Sequence, residues 1–354
     1  MNPLELDAAR LSDDGDALLI LDQTLLPGEV KVLRLTEPEE IREAIRSLRV
    51  RGAPAIGVAA AYGAALRAKR SRQETAGALT EELGDVCAFL AEARPTAVNL
   101  SWALERMQRC AADHSALDVP ALKARLMDEA HAIRREDIAI SRSIGTLGAA
   151  LLKPGCGILT HCNAGTLATA KYGTALAPVY IALEQGWRDL RVYCDETRPL
   201  LQGARLSAFE MVSAGVDTTL LCDNMASYAM SQGLIDIVLV GCDRVARNGD
   251  AANKIGTSAV AILARHYGIP FYVCAPSSTI DLRLACGGEI PIEQRDGREV
   301  TEMWYARRMA PEGVKVLNPA FDVTDHSLIT GIITERGIAS APFDRAFEKL
   351  GLSE

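Results

Sequence analysis

The sequence predicts an α/β protein with a Rossmann-like parallel-sheet domain in its C-terminal part and a mostly helical N-terminal domain that carries a short β element. Three observations predict this. From about residue 155, short apolar runs alternate with helical stretches at the spacing of βαβ repeats. Before residue 150, apolar residues recur every three or four positions, as in amphipathic helices. Near the N-terminus, apolar and polar residues alternate around Pro27 and Gly28, which predicts a β-hairpin.

The N-terminal domain is expected to consist of this hairpin followed by helices. The hairpin is predicted over LLILDQTLLPGEVKVLRL. A helix is expected to open at RGAPAIGVAAAYGAAL, because proline is favoured in a first helical turn. Helical spacing of apolar residues also appears in EPEEIREAIRSLRV, QETAGALTEELGDVCAFLAEA, NLSWALERMQRCAAD and ALKARLMDEAHAIRREDIAISRSIGTLGAALL. We place the domain boundary between residues 140 and 141, so that residues 1–140 form the N-terminal domain and residues 141–354 the Rossmann-like domain.

Six apolar runs predict the strands of the C-terminal sheet. They are GILTHC, LRVYCDE, TTLLCDN, IVLVGCD, IPFYVCA and LITGIIT. Five of them end in a polar or reactive residue: Cys162, Asp195, Asp223, Asp243 and Ser277. Ligands of parallel sheets bind outside the carboxyl ends of the strands. The repeated polar endings therefore predict a site at this edge of the sheet.

Composition narrows the class of function. The chain has 354 residues, a net charge of −8 and interspersed acids and bases, so neither a basic surface for nucleic acid nor a polybasic membrane patch is expected. No apolar stretch is long enough to span a bilayer, and the acidic N-terminal segment does not resemble an export signal. We expect a cytoplasmic protein that has neither nucleic acid nor a membrane as its partner.

Cofactor and metal chemistry lack their usual sequence marks. The nine cysteines include no CxxC pair, which indicates free thiols; any one of them is most often a small buried hydrophobic residue. A metal site at Asp243 and Asp250 lacks ligand spacing. There is no Walker loop or GxSxG elbow, and the glycines of GCGILTHCNAG precede the strand instead of following it. No cofactor and no metal are predicted.

Two arginines stand just before predicted helices. Arg51 and Gly52 precede Pro54, an arrangement that suits a phosphate cradle at a helix N-terminus. A tightly packed helix start with Arg51 in solvent explains the same pattern equally well. ARPTAVNLSWAL repeats the arrangement with Arg94, followed by Thr96 or Asn99 as the expected cap. An exposed charge at the helix end is again an equal alternative.

Two further stretches are dense in polar residues. DETRPLLQGARLSAFE, which contains Gln202, is longer and more polar than an ordinary connection and is typical of a binding loop. In GCDRVARNGDAANKIGTSA, Asp243 follows a strongly apolar strand, so we expect scarce water around its carboxyl and a raised pKa. Asn253 and Lys254, expected in a glycine-punctuated loop, are able to bind hydroxyls or a phosphate.

Taken together, these blocks resemble one enzyme family. LDQTLLP, RGAPAIG, ARPTAVNL, THCNAGTLAT, DETRPLLQGARLSAFE, GCDRVARNGDAANKIGT, APSSTID and NPAFDVT, in this order, are similar to methylthioribose-1-phosphate isomerases of methionine salvage. Their superfamily includes the α, β and δ regulatory subunits of the translation-initiation exchange factor. The resemblance covers nearly the whole chain. It departs at Cys194 and Cys242, where a small residue is expected.

The resemblance implies an aldose–ketose isomerase that converts 5-methylthioribose 1-phosphate to the corresponding ribulose phosphate, works as a homodimer and needs no cofactor. The family's catalytic cysteine and aspartate fall on Cys162 and Asp243. Its substrate-binding positions fall on Arg51, Gly52, Ala53, Arg94, Gln202, Asn253 and Lys254. The alternatives are an isomerase of 5-deoxyribose 1-phosphate or ribose 1,5-bisphosphate and a regulatory subunit without activity. The intact pair of Cys162 and Asp243 argues against the regulatory subunit.

The chemistry gives these two residues distinct roles. Asp243, kept neutral, is expected to protonate the ring oxygen, which a carboxyl near its reference pKa of about 3.9 cannot do at neutral pH. Cys162, at a strand end that opens onto a helix N-terminus, is expected to be a thiolate that takes the C2 proton. A hydride shift from C2 to C1, with Cys162 in a structural or electrostatic role, is the competing mechanism.

Overall fold

The computed structural model describes residues 7–95 and 97–352, and the chain divides into two compact units. The first unit runs up to Ile140 and also includes Thr166–Gly173. The second unit consists of Ser141–Gly165 and the chain from Thr174 onward. The sequence pattern does not indicate that the segment Thr166–Gly173 groups with the first unit.

The first unit begins with a three-stranded antiparallel sheet. Its strands are β1 (Ala9–Leu11), β2 (Leu18–Leu21) and β3 (Val32–Leu35), in that order across the sheet. β2 and β3 are the two arms of the predicted hairpin, with Leu18 opposite Leu35, so this prediction is confirmed. β1 was not predicted, because three residues are too few to show the alternation that marks a strand.

The rest of the first unit is helical, as predicted. The helices are α1 (Pro38–Arg46), α2 (Ala53–Arg70), α3 (Ala76–Ala91), α4 (Val98–Asp113) and α5 (Val119–Ala149), which from Ser141 onward belongs to the second unit. The Thr75 hydroxyl caps α3 by accepting the Ala78 amide hydrogen. The small residues of α2 allow close packing: a Cβ at Gly57 would lie 2.9 Å from the Asn99 carbonyl oxygen of α4. α2 is consequently buried on nearly every side.

The second unit alternates strands and helices. Its strands are β4 (Gly157–Thr160), β5 (Arg191–Asp195), β6 (Asp217–Leu221), β7 (Ile237–Val240), β8 (Arg244–Ala246), β9 (Ala251–Lys254), β10 (Phe271–Cys274), β11 (Ile280–Asp281), β12 (Phe321–Thr324), β13 (Gly331–Thr334) and β14 (Gly337–Ala339). Its helices are α6 (Ala177–Glu184), α7 (Ala208–Ser213), α8 (Ala226–Ser231), α9 (Thr257–Tyr267), α10 (Arg298–Thr301) and α11 (Phe343–Lys349).

Seven of these strands form the main sheet, in the order β14-β13-β10-β7-β4-β5-β6. All neighbours pair in parallel except β14, which is antiparallel to β13. The six parallel strands are the six predicted apolar runs, and the predicted fold class is confirmed. The strand order reverses direction between β4 and β7, which is where ligands of doubly wound sheets bind.

Both faces of the main sheet are covered. Ile332 in β13 belongs to a buried apolar cluster that includes residues of α8, α9 and α11. The next residue, Ile333, lies near Gly148, where a Cβ would come within 3.6 Å of its side chain and 2.4 Å of Pro178 in α6. Because successive side chains of a strand point to opposite faces, helices lie on both sides of the sheet. Among the described residues, no helix has the length and apolar character needed to cross a membrane.

A second, four-stranded sheet follows β7, in the order β11-β8-β9-β12. β8 and β9 form an antiparallel hairpin around Asn248 and Gly249, and Gly249 has a φ of 93°. The expectation of a loop here is wrong: Asn253 and Lys254 lie on strand β9. The Asn-Gly pair was the available signal, since this dipeptide favours tight hairpin turns.

Asp137 in α5 gives the first unit a testable pH dependence. Its carboxylate accepts the Ala170 amide hydrogen at 2.6 Å, and burial raises its pKa from 3.8 to about 6. The folded state is therefore penalised once the carboxyl ionises, so stability falls as pH rises from about 4 to about 6. Two pKa units correspond to about 3 kcal/mol, and the partial exposure of Asp137 reduces this to about 1–2 kcal/mol.

Asp137→Asn keeps the acceptor for Ala170 and removes the ionisation. We expect the melting temperature to rise by about 1–3 °C at pH 8 and to equal that of the native chain near pH 4. Asp128→Asn, at an exposed position of the same helix, is the control and should shift little at either pH. A gain in Asp137→Asn that is equally large at pH 4 would contradict the ionisation argument.

Candidate functional site

Cys162 lies two residues beyond β4 in a constrained backbone conformation. Its φ is 65°, in the left-handed region that non-glycine residues seldom adopt. Its amide donates to the Thr197 hydroxyl at 2.8 Å, and its carbonyl accepts from the Ser207 hydroxyl at 2.7 Å. Thr197 itself has a φ of 63°. Strained residues cluster at functional sites, so this geometry keeps Cys162 a candidate functional residue.

A buried polar network lies beneath this residue. The Asn163 amide nitrogen donates to the Ser207 hydroxyl at 3.1 Å and to the Glu210 carboxylate at 2.8 Å. The Tyr180 hydroxyl donates to the other Glu210 oxygen at 2.8 Å. Ser207 ends a π-helical turn, Gly203–Ser207, a feature that is frequent at functional sites. No short sequence motif predicts this network, although Ser207 and Glu210 lie in the polar stretch that predicted a binding loop.

The expected helix N-terminus at Cys162 is absent. A single 3-10 turn spans Thr166–Ala168, and the next α-helix, α6, begins only at Ala177. Tyr172 and Gly173, which lie between this turn and α6, have positive φ values, so no continuous helix joins the two. The prediction that a helix dipole favours a thiolate at Cys162 is therefore wrong, and hydrogen bonds from distant loops position this residue instead.

Asp243 follows β7, the strand next to β4 at the point where the strand order reverses. Gly241 brings the two strand ends together, because a Cβ there would lie 2.7 Å from the Cβ of Ala164. The Asp243 amide donates to the Ala252 carbonyl, which fixes the start of β8. The expectation of scarce water is wrong, since Asp243 is exposed. Asp243 lies between the buried residues of β7 and those of β8, so the burial of the strands does not extend to it.

Gln202 stands at the start of the π-helical turn and is only 5% exposed. Its side-chain oxygen is buried and has no hydrogen-bond partner among residues 7–95 and 97–352. Buried polar atoms are almost always paired. This orphan acceptor thus indicates a position for a hydroxyl or amine of a ligand.

On β9, Asn253 and Lys254 are fixed by local contacts. The buried Asn253 amide donates to the Thr257 hydroxyl at 3.0 Å. The Lys254 ammonium donates to the Ala320 carbonyl at 2.8 Å and lies 4.3 Å from the centre of the Phe321 ring. These contacts hold both side chains in defined positions.

Arg51, Gly52 and Ala53 lie at the beginning of α2. Gly52 has a φ of 92°, and a Cβ there would approach the Ala168 carbonyl oxygen to 2.4 Å, so both backbone and space require glycine. Ala53 is the first residue of the helix, and no side chain caps its amides. Uncapped amides beside an arginine form a suitable anion site. Arg51 is half-buried.

Arg94 precedes α4 and is half-buried. Helix α4 starts at Val98 with Ala97 in the capping position and no side-chain cap. The prediction of Asn99 as the cap is wrong, because Asn99 is already inside the helix and is buried. Thr96, the other expected cap, lies outside the described residues.

Asp250, which the metal alternative paired with Asp243, has a structural role. This carboxylate accepts hydrogen bonds from the Gly287 and His326 amides and from the Asn248 side chain, so it joins three chain segments. Among the described residues, neither of the two groups with suitably close ligand atoms contains Asp243. The nine cysteines, all within the described residues, form no disulfide. Burial raises the pKa of Cys242, next to Asp243, to about 12.

The nine predicted site residues fall in both units. Cys162, Gln202, Asp243, Asn253 and Lys254 belong to the second unit, and Arg51, Gly52, Ala53 and Arg94 to the first. Sequence reasoning did not single out His161, Thr197, Ser207 or Glu210. Nothing in the sequence distinguishes the hydroxyls of Thr197 and Ser207. The available signal for His161, which is buried, was its position directly before Cys162.

Two curated relatives match nearly the whole chain. The chain is 62% identical over 348 residues to a protein of Symbiobacterium thermophilum named methylthioribose-1-phosphate isomerase, covering 98% of this chain and 97% of the relative. It is 56% identical over 335 residues to a protein of Bacillus thuringiensis named 5-deoxyribose 1-phosphate isomerase, covering 95% and 96%.

Two solved structures also match nearly the whole chain, one described as an isomerase and one as a translation initiation factor subunit. The crystal structure of 5-methylthioribose 1-phosphate isomerase from Pyrococcus horikoshii OT3 matches with a TM-score of 0.92 and 44% identity, over 98% of this chain and 96% of that chain. A crystal structure described as translation initiation factor eIF-2B, subunit delta, from A. fulgidus matches with a TM-score of 0.89 and 41% identity, over 98% and 99%.

These findings settle the class of the protein. Relatives that share more than half of their residues with this chain, over nearly its whole length, are isomerases, and this chain is an isomerase as well. The Initiation factor 2 subunit family matches residues 49–341, well over half of the sequence. The chain belongs to the Initiation factor 2 subunit family.

Proposed function

We propose that this isomerase converts 5-methylthioribose 1-phosphate to 5-methylthioribulose 1-phosphate, as an aldose–ketose isomerase of methionine salvage. One observation carries the proposal: Cys162 and Asp243 follow the two adjacent strands between which the sheet reverses its strand order. The names of the relatives support the proposal, because two of them are described as methylthioribose-1-phosphate isomerases.

The substrate sets the chemical problem. Phosphate on the anomeric oxygen prevents the ring from opening to a free aldehyde, so the ring oxygen must be protonated before its bond to C1 breaks. Asp243 in its neutral form supplies this proton. The Cys162 thiolate then takes the C2 proton, which leaves a C1–C2 enol. The Cys162 thiol returns a proton to C1, the C2 hydroxyl gives its proton to the Asp243 carboxylate, and both groups are restored.

The exposure of Asp243 adds a condition to this mechanism. A carboxyl in water is ionised at neutral pH. The bound sugar phosphate must therefore cover Asp243 and replace water around it, so that the acid stays protonated. On this proposal the neutral acid belongs to the enzyme–substrate complex, not to the free enzyme.

The binding roles follow from the chemistry of each candidate. Arg51 and the uncapped amides at the start of α2 hold the phosphate. The orphan oxygen of Gln202 accepts a hydrogen bond from a sugar hydroxyl. Asn253 and Lys254, fixed on β9, bind the remaining hydroxyl and phosphate oxygens, and Arg94 is a second cation for the phosphate.

Arg51→Ala tests the phosphate assignment. Hydrogen bonds to a charged group contribute about 1.5–3 kcal/mol, so we expect KM to rise by about 10- to 100-fold while kcat changes less. Steady-state kinetics measure both constants. Arg46→Ala, at an exposed position of α1, is the control and should leave KM unaltered. An unchanged KM in Arg51→Ala would remove this residue from the cradle.

A second candidate substrate is favoured by one comparison. The relative from Bacillus thuringiensis is named 5-deoxyribose 1-phosphate isomerase, and the chemistry at C1 and C2 is the same for both sugars. A pocket for a methylthio group is apolar, and it tolerates the smaller methyl group. Ribose 1,5-bisphosphate instead needs additional cations at C5.

One assay distinguishes these functions. The purified chain is given the methylthio, 5-deoxy and 5-phospho sugars in parallel, and kcat/KM is compared. We expect the highest value for the methylthio sugar, a lower one for the deoxy sugar and the lowest for the bisphosphate. Activity on none of the three would favour the regulatory role of the relative described as an eIF-2B subunit.

We also propose that the enzyme is a cytoplasmic homodimer. β6 is an edge strand of the main sheet, and large apolar side chains are exposed on or just after it: Leu220, Met225 and Tyr228. Such a surface favours association with a second copy. Light scattering of the eluted protein should give twice the chain mass of 38.0 kDa; a single-chain mass would reject the dimer.

A further inference from the structure

His161, the residue before Cys162, is buried between two hydrogen-bond acceptors. Its side chain is 1% exposed. Its Nδ1 lies 3.0 Å from an oxygen of Asp195, and its Nε2 lies 2.8 Å from the carbonyl oxygen of Ile255. A carbonyl oxygen only accepts, so Nε2 carries a proton. The second proton lies in the bond between Nδ1 and the Asp195 carboxyl.

The charge balance places that second proton on the ring. Imidazole is a stronger base than a carboxylate by more than two pKa units in water. Burial opposes a charge on His161 and also raises the pKa of Asp195. The hydrogen bond and the negative charge of Asp195, with the Ile255 carbonyl, nevertheless raise the pKa of His161, which is the stronger base of the two. Asp195 depends on this partner, because its other oxygen is buried without a hydrogen bond among the described residues.

The surroundings of the ring favour the same state. Two more carboxyls act on it: Asp223, just beyond β6, and Asp322 on β12. Asp322 accepts hydrogen bonds from the Gly256 and Ser258 amides. Gly256, with a φ of 104°, lies so close that a Cβ would be 2.8 Å from a ring carbon of His161. The chain is therefore shaped around this ring at the point where it leaves β9.

We propose that His161 is a positioning residue that acts as an imidazolium and ties three strand ends together. The first is the end of β4, which continues into Cys162. The second is Asp195 at the end of β5, two residues before the Thr197 hydroxyl that holds the Cys162 amide. The third is Ile255, directly after Lys254 on β9. This role rests on the proposed function, because it fixes the candidate base relative to the candidate binding residues.

Two variants separate the charge from the contacts. Asp195→Asn removes the negative charge but still offers an amide N–H to Nδ1, so the ring becomes neutral while both hydrogen bonds persist. His161→Gln removes the tie. His266→Gln is the matched control, because His266 is exposed on α9. Nitrogen NMR of ¹⁵N-histidine-labelled protein reports directly how many ring nitrogens carry a proton.

At pH 7.5, one unit above the ordinary histidine pKa of about 6.5, we expect His161 to show two protonated ring nitrogens. This signal should be missing in His161→Gln, unchanged in His266→Gln and replaced by that of a neutral ring in Asp195→Asn. A neutral His161 in the native chain at this pH overturns the proposal, whether or not the variants fold.

Kinetics supply the second readout. Small displacements of reacting groups can cost about 100-fold, so kcat should fall about 100-fold in folded His161→Gln and about 10-fold in Asp195→Asn, while KM rises only a few-fold. Native kcat in folded His161→Gln overturns the proposal. If the native chain isomerises none of the three sugars, the proposed function fails by itself, and the NMR experiment still decides the state of His161.

Discussion

Cys162→Ser is expected to lose nearly all turnover while it still binds the substrate. Serine is almost the same size, and the hydrogen bonds that hold this position use only its backbone, so the geometry should survive. A hydroxyl ionises far less readily than a thiol, so the variant lacks the base. Because general base catalysis contributes about 100- to 10,000-fold, kcat should fall by that range. Steady-state kinetics give kcat, and calorimetry with the product sugar gives binding.

The control for this variant is Cys286→Ser, which changes an exposed thiol outside the site and should leave kcat unaltered. Near-normal turnover in Cys162→Ser would remove this residue from the mechanism. Running the native reaction in D2O tests the proton path: deuterium at C1 of the product supports the thiolate base. No deuterium at C1 favours the hydride shift, with Cys162 in a structural or electrostatic role.

The sheet could be predicted because its signal is local. Each parallel strand is an apolar run between helical stretches, so the alternation alone gave six strands, and their polar endings gave the edge that carries Cys162 and Asp243. Strand order cannot be read from such runs. The structure adds that β4 and β7 are neighbours, which brings the ends of two runs far apart in sequence together.

The geometry around Cys162 could not be predicted because it depends on distant residues. Thr197 and Ser207, which hold its backbone, lie 35 and 45 residues further along the chain. The sequence favoured a helix after Cys162, but the backbone is left-handed at Cys162 and again at Tyr172, and a single 3-10 turn, Thr166–Ala168, lies between them. Local pattern carries no information about such long-range hydrogen bonds.

The prediction of scarce water around Asp243 was wrong for a related reason. The apolar run of β7 predicted a carboxyl shielded from water. The four residues of β7 are buried, but Asp243, three residues beyond the strand, is exposed. Asp243 itself lies in the short connection between β7 and β8. Conversely, the sequence could place Gln202 only in a polar stretch, and the unpaired oxygen that makes it a ligand candidate emerged from the packing of the π-helical turn.

Asp243→Asn is expected to reduce kcat by about 100- to 10,000-fold with little change in KM. The amide matches the carboxyl in shape, so the substrate should still bind, but it has no proton to deliver to the ring oxygen. Steady-state kinetics measure both constants. Asp217→Asn, at an exposed position of β6, is the control and should behave as the native chain. Retention of most turnover would show that another group opens the ring.

Combining the two substitutions tests whether Cys162 and Asp243 act as a unit. If the acid and the base serve one sequence of proton transfers, removing the second group costs little once the first is gone, because the transfers are already blocked. We therefore expect the double variant Cys162→Ser and Asp243→Asn to have a kcat close to that of the slower single variant. Losses that multiply would mean that the two residues stabilise separate steps independently, and the shared mechanism would have to be abandoned.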